Sequence, residues 1–373
     1  LVGSSIKYSG REGVVCYSSN NCVLSELVIE DCTVGIFLLA SNDSRISENI
    51  VTDNRVGIDL YLCSNITLTE NTLINNGVRL TLWWASLSGH ILHGADFANI
   101  SHRFDNNLVN GRLLGFFYNR SSMIIDASEY GQVILLNCRG VILEHGVFSN
   151  STTGLQVLHS ENCVVRDIVA QHQQMRGFDI LFSNHTVVED CRIEHNDESG
   201  IFVEMSNYTS VVDNKISGNT EGGTHFHISS KGTIVNNSII NNDVGISFYD
   251  STNFSVMGNT ILENTVFGIL LSGQSNYNRF YANSFGSSGR SHVKYDWGSS
   301  CYNNFWDDGV SQGNLWDDYI GFGHYEVCFP DVDRFPSGVG TVQSGFTVIA
   351  SVTLIIIALA GVIMVLYRRI RAA

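Results

Sequence analysis

A glycine followed by alternating apolar residues returns along this chain every 22 or 23 positions. It falls at Gly13, Gly35 and Gly57, and again at Gly131, Gly154, Gly177, Gly200, Gly223, Gly245 and Gly268. About 14 residues after each glycine comes a second marker, at Asn49, Asn71, Asn214, Asn237, Asn259 and Asn283. His145, Asp167 and Cys191 take that slot in the intervening repeats. Two ladders at a fixed offset identify a repeat architecture, in which each unit buries its apolar face only against its neighbours. Within a unit the apolar residues alternate, as in Leu155 and Val157, Phe178 and Ile180, Ile201 and Val203, Ile246 and Phe248, Ile269 and Leu271. That is the period of a strand with one buried face. A second short strand (Val187-Val188, Val211-Val212, Ile234-Val235) and then a third follow within the same repeat. No room is left for a helix, so the expected fold is all-β, a parallel β-helix of 22–23-residue coils. Coils stack at about 4.8 Å, and ten would make a rod of roughly 50 Å.

The ladders assign structural work to their residues. Stacked asparagines inside a turn hydrogen-bond to one another and to the turn backbone. The glycine marks a corner that needs positive φ or close backbone approach. Composition agrees: 35 Gly and 35 Asn but only two Pro, Pro330 and Pro336. Charged residues are 15% of the chain, and the net charge of −15 argues against a nucleic-acid partner. Between Gly77 and Gly131 the period lapses. Residues 78–130, with Trp83, Trp84, His90 and His93, are expected to be an inserted loop or a set of irregular coils.

A solenoid needs a closed end. Trp306, Trp316, Tyr319 and Phe322 are suited to close it, with Asp307, Asp308, Asp317 and Asp318 keeping the outside solvated. The alternative for these aspartates is a metal or sugar site. Three segments resemble the NosD-type right-handed parallel β-helix proteins, also described as carbohydrate-binding and sugar-hydrolase (CASH) domains, many of them archaeal surface proteins. Asn107-Leu-Val-Asn-Gly-Arg112 with Phe116-Phe117-Tyr118 and Gly131-Gln-Val-Ile-Leu-Leu-Asn-Cys138 is similar to the family's approach to its repeats. The repeats themselves match. Asn304-Phe-Trp-Asp-Asp-Gly309 and Gly313-Asn-Leu-Trp-Asp-Asp-Tyr319 resemble its C-terminal signature, with Val332-Asp-Arg-Phe-Pro336 as an echo. The resemblance covers roughly residues 10 to 336 and implies the right-handed fold. Its namesake is associated with copper-site maturation in the periplasm. The aspartate-rich run that follows the Trp motifs in many relatives is replaced here by Gly321-Phe-Gly-His-Tyr-Glu326, which removes the basis for a calcium site at that end.

Candidate functional residues lie on the outward positions of the first strand of each repeat. His225 and His227 share a face, with Glu204 one coil before and Tyr249 one coil after. Asp179 is level with His225, two coils earlier. Asp179 and Glu204 are diagonal neighbours, about 7–8 Å apart, a separation compatible with acid/base chemistry on a sugar. His225, Tyr249 and their neighbours are candidates for sugar binding, and Glu204, His225 and His227 for a copper or zinc site. A plain solvated face is the competing reading. His172 and His195 also align in successive coils. No cofactor is expected.

Phe346 to Tyr367 is 22 residues without a charge, followed by Arg368, Arg369 and Arg371. About 33 Å of helix crosses a bilayer, and the arginines place the tail in the cytoplasm. The expected order is coils over 1–300, a cap over 301–336, a linker over 337–344, a transmembrane helix over 345–367 and a tail over 368–373. Starting at Leu1 without a signal peptide, the chain is expected to have a processed or truncated N-terminus. An exported domain suits the Asn-x-Ser/Thr sequons, of which Asn42, Asn65, Asn184, Asn207 and Asn253 are the glycosylation candidates. Cys301 and Cys328 are the disulfide candidates; the other cysteines read as free core thiols. The resulting expectation is a membrane-anchored surface protein with an extracellular β-helix that binds glycans or other surface macromolecules. An enzyme acting on polysaccharide through Asp179 and Glu204 is the alternative, and a copper-related role the second alternative.

Overall fold

The computed structural model describes residues 1–7, 10–85, 91–94, 101–296, 303–328 and 331–338. It is a parallel β-solenoid whose largest sheet has fourteen strands, running from Ser5–Lys7 to Ser291–Tyr295. Its strands follow one another in chain order, and all but one of the pairings between them are parallel. The exception is Leu108–Val109, which pairs antiparallel with Arg112–Tyr118 through a tight turn at Asn110 and Gly111, both at positive φ. Strand direction reverses there while the sheet continues.

The reversal puts two solenoids on opposite faces of one sheet. Before it, the other walls are two four-stranded sheets, one ending at Val78–Thr81 and one at Arg103–Asp105. After it, they are sheets of eight and nine strands. The core follows. Val133, Leu135, Leu155, Val157, Phe178 and Ile180 belong to the C-terminal core. Their alternates Ile134, Leu136, Leu158 and Leu181 belong to the N-terminal one. Strand Tyr130–Leu136 is therefore buried at nearly every position, while Gly222–His227 keeps an alternating pattern. The lapse of period over 78–130 is the sequence trace of this seam rather than of a side loop alone, and the single rod of the sequence reading is two stacks.

The end of the N-terminal stack is closed by side chains that imitate a strand. Among the described residues Val78–Thr81 is the last strand of its sheet, with no further coil to pair with. Gln132, fully buried, accepts from Val78 N–H (2.9 Å) and donates to Val78 C=O (2.7 Å). Gln156 does the same for Leu80 at 3.1 and 3.4 Å, and Thr152 Oγ1 accepts from Gly77 N–H at 2.8 Å. A primary amide carries the same donor and acceptor as a peptide group, so two glutamines satisfy an edge otherwise open to misassociation.

The asparagine ladder is continuous. Each Nδ2 donates to the next Oδ1 from Asn214 through Asn237 and Asn259 to Asn283 at 2.9 Å, and on to Asn314 at 3.0 Å. Asn49, Asn71 and Asn107 repeat it in the first stack. A second ladder, absent from the sequence reading, links Asn196, Asn219, Asn242 and Asn264. The repeat glycines answer to close approach: a Cβ on Gly200 would stand 2.7 Å from the Gly223 carbonyl oxygen. Positive φ is instead adopted by turn residues such as Asp53, His195 and Asp213.

The end cap stacks rings in register: Phe280 on Trp306 at 4.2 Å, Phe285 on Trp316 at 4.4 Å, and Trp316 on Tyr325 at 4.2 Å. Two expectations for the cap fail. Phe322 is 83% exposed and closes nothing. Asp307 is buried, not solvating; it holds Arg334, which keeps its carboxyl below the usual range. The Val332–Pro336 echo is a clasp, since its buried Asp333 accepts from Trp316 Nε1 (2.9 Å) and Asn314 N–H (2.7 Å). The disulfide candidate Cys301 and the apolar segment 345–367 lie outside the described residues; among the described residues Cys328 and the seven other cysteines form no disulfide. Among the described residues no helix is long and apolar enough to cross a membrane.

Candidate functional site

Parallel register aligns the outward residues of the large sheet into two rows. One runs Asp179, Phe202, His225, Ser247; the other runs Leu181, Glu204, His227, Tyr249. The sequence reading placed these on a solvated face. The structure instead buries the near end of the rows: Asp179 and Glu204 are each 4% exposed and Gln156 1%. The cause is the N-terminal stack: Leu80 N–H donates to Gln156 at 3.1 Å, Arg79 Nη1 donates to Met175 Sδ, Phe37 packs against the Met175 cluster, and Tyr61 comes near enough to Glu204 to feel its charge. Coverage thins along the second row until Tyr249, 45% exposed, faces solvent, whereas Ser247 at the end of the first row stays buried. The site is thus a step, with the wall of one solenoid standing beside the floor of the other.

Charges at the step are paired. Arg176 Nη1 donates to Asp179 Oδ1 at 3.1 Å, its Nε lies 3.0 Å from Glu198, and its guanidinium covers the Phe202 ring at 3.8 Å. Arg55 reaches across from the N-terminal stack to the same Glu198, and Arg79 binds Asp59. The Arg55–Glu198 pair joins the two solenoids, and Arg79 reaches across by donating to Met175 Sδ at 3.4 Å. Asp179 is consequently held by its own arginine, while Glu204 Oε1 bonds His227 Nδ1 at 2.7 Å. The two carboxylates that the sequence aligns each have a separate cationic or imidazole partner.

The remaining groups form an aromatic surface. The His225 ring lies 5.1 Å from Phe202 and 6.4 Å from His227, and His227 meets Tyr249 edge-on at 4.9 Å. Burial, then His227 and Arg176, lower the His225 pKa to about 4, so its imidazole is neutral at physiological pH, one nitrogen donating and one accepting. Burial and then the Asp59 carboxylate raise the Tyr61 phenol, with Glu204 adding to the effect. With Nδ1 committed to Glu204, His227 keeps Nε2 for a ligand or a proton. Neutral donors and acceptors between aromatic rings are what sugar hydroxyls and apolar sugar faces require.

Sequence reasoning found the floor of the step but not its wall. Phe37, Tyr61 and Arg79 sit 100 or more positions before Asp179 in the chain. The signal for a covered face was present in the run Gly131-Gln-Val-Ile-Leu-Leu-Asn-Cys138, apolar on both strand faces. Among the sequons, Asn65, Asn184 and Asn253 are exposed on turns, whereas Asn42 and Asn207 are half-buried and bond neighbouring coils through Ser64 N–H (2.8 Å) and the Ser230 hydroxyl (2.7 Å).

Fold and face together define a parallel β-helix repeat protein with one polar-aromatic outer face. The family described as "Periplasmic copper-binding protein (NosD)" matches residues 117–321, more than half of the chain, and the chain belongs to that family. The family described as "Right handed beta helix region" matches residues 1–129. No curated protein matches the chain. Similar solved structures include the periplasmic alginate epimerase AlgG (12% identity, 75% of each chain covered, TM-score 0.44). Others are the AlgE6 A-module of the Azotobacter vinelandii mannuronan C-5 epimerase (13%, 84% of this chain and 88% of that one, 0.44) and pectate lyase Pel9A (11%, 61% and 80%, 0.31).

The donors at the step bear on the copper in the family's description. Glu204 and His227 are bonded to each other, and His225 is turned edge-on to His227 against Phe202. Met175, the methionine at the step, accepts from Arg79 Nη1. One group of three potential ligands among the described residues has donor atoms within 4.8 Å of one another, and it is not this one. The step does not fit a three-ligand copper centre.

Proposed function

We propose that this chain is a cell-surface carbohydrate-binding β-helix protein, with its glycan site at the step between the solenoids. One observation carries the reading: the neutral His225 ring packs against Phe202 and the His227 ring meets the exposed Tyr249, while Asp179 is paired with Arg176 and Glu204 with His227. Anchoring is assigned to the apolar segment 345–367, with the β-helix outside and the Arg368–Arg371 tail inside. The test is a glycan array with the full chain in detergent. Ligands retained by the parent and lost in Tyr249→Ala and His225→Ala support the site. Retention by both variants, or no retained glycan at all, removes it.

A second reading rests on the 2.7 Å contact between Glu204 and His227. A carboxylate fixing Nδ1 orients an imidazole whose Nε2 can take up and return a proton. That arrangement supports a polysaccharide hydrolase or lyase. If Glu204→Gln cleaves a polysaccharide as fast as the parent, this reading is wrong.

A further inference from the structure

The end cap carries a second cluster, remote from the step. His292 Nε2 lies 2.9 Å from Asp317 Oδ1 and 3.5 Å from Asp318 Oδ1. The cluster borders a cavity of about 260 Å³ whose walls include Ser288, Trp316, Asp318 and Tyr325. We propose that these three atoms form a binding site for a zinc-like divalent cation.

The first reason is stoichiometric. Nε2 can carry one proton, and one N–H makes one good hydrogen bond, yet two carboxylate oxygens converge on it. A dication answers both. The second is distance. Three ligands at about 2.1 Å in tetrahedral array stand roughly 3.4 Å from each other, and the two measured separations bracket that value. The third is orientation. Each carboxylate spends its other oxygen on a protein donor: Asp317 Oδ2 accepts from Ser287 N–H at 2.7 Å, and Asp318 Oδ2 accepts from Tyr325 OH at 3.2 Å. Those bonds turn both Oδ1 atoms toward His292, the outer support typical of metal ligands. The imidazole is fixed in turn by Trp316 at 5.8 Å and Phe285 at 6.3 Å.

A fourth observation is independent of the acids. His292 Nδ1 and Ser288 Oγ are both buried without a protein partner, on residues that line the same cavity. Unpaired polar atoms beside a polar cavity mark a place where small ligands are held. The cavity side leaves a fourth coordination position open. One imidazole with two carboxylates suits zinc; the absence of thiolate and thioether disfavours copper(I), and an imidazole is a poor ligand for calcium.

The test uses the full chain in detergent, stripped with chelator and titrated with Zn²⁺ by calorimetry. A tetrahedral Co²⁺ spectrum is the second readout. One saturable ion per chain is expected. Asp317→Asn and Asp318→Asn should each weaken it by about tenfold or more, and both amides keep an oxygen for Ser287 or Tyr325. Glu204→Gln should bind as the parent does. No saturable binding overturns the proposal, as does an affinity unchanged in both asparagine variants or lost in Glu204→Gln. If His292→Ala does not fold, the two asparagine variants decide alone. Because the step plays no part, failure here leaves the glycan reading standing, and the reverse holds.

Discussion

Gln132→Glu separates the role of the glutamine clasp from simple packing. The substitution changes one atom type at a fully buried position. The wild-type amide accepts from Val78 N–H and donates to Val78 C=O. An ionised carboxylate preserves the first bond but aims a second negative oxygen at the Val78 carbonyl. A protonated carboxyl restores both bonds. The folded state therefore selects the protonated form, so the introduced group's pKa is raised above its unfolded value of about 4.3. For an acid raised in this way, the penalty is absent below the unfolded pKa and grows as pH rises. Holding the proton costs about 1.4 kcal/mol per pH unit, hence about 4 kcal/mol at pH 7.5 and about 1 kcal/mol at pH 5. The assay is chemical unfolding of variant and parent side by side at both pH values, with limited proteolysis near the seam. The expected difference is large at pH 7.5 and mostly gone at pH 5. The N-terminal stack should become protease-sensitive first, because the clasp closes that stack. A variant as stable as the parent at pH 7.5, or one equally weakened at both pH values, refutes the account.

Other outcomes follow from the same contacts. Asn237→Ala strips the Asn214 N–H of its acceptor and removes three donated bonds, for a loss of about 2–4 kcal/mol measured by denaturant. His102, His159 and His225 all have folded pKa values of about 4, lowered by burial. Their unfolded forms take up protons first as pH falls, so stability should be lost between about pH 6.5 and 4, by up to roughly 3 kcal/mol for each; a flat profile there contradicts their burial as neutral rings. Trp306→Ala leaves a cavity under Phe280 and should cost about 3–5 kcal/mol in thermal or chemical unfolding, unless the cap is not part of the cooperative unit.

Most of the coil was legible in the sequence because each rung repeats its neighbour's chemistry. Gly177, Gly200 and Gly223 mark one corner, and Asn214, Asn237 and Asn259 line one turn. The Trp306 and Trp316 motifs were legible as a closure because a solenoid end has to be covered. The seam was not, since a reversal at Asn110-Gly111 leaves only a gap in the period. With it went the wall of the step, and so Asp179 and Glu204 read as solvated. Phe322 and Asp307 misled for another reason: in a short irregular segment, residue type does not say which side faces the core. His292 could not be paired with Asp317 and Asp318, because the period lapses after Gly268 and coil counting stops working there.

The seam also makes distance countable. Adding or removing one coil of 22–23 residues shifts everything beyond it by about 4.8 Å and changes no cross-section. A coil inserted between Leu136 and Phe178 slides the floor of the step along its wall and pairs new residues across it. One inserted after Tyr249 moves the cap away and leaves the step untouched. Repeat number in this architecture is therefore a ruler with two independent scales. One sets the match between the two solenoids, and the other sets how far the His292 cluster stands from the Tyr249 face.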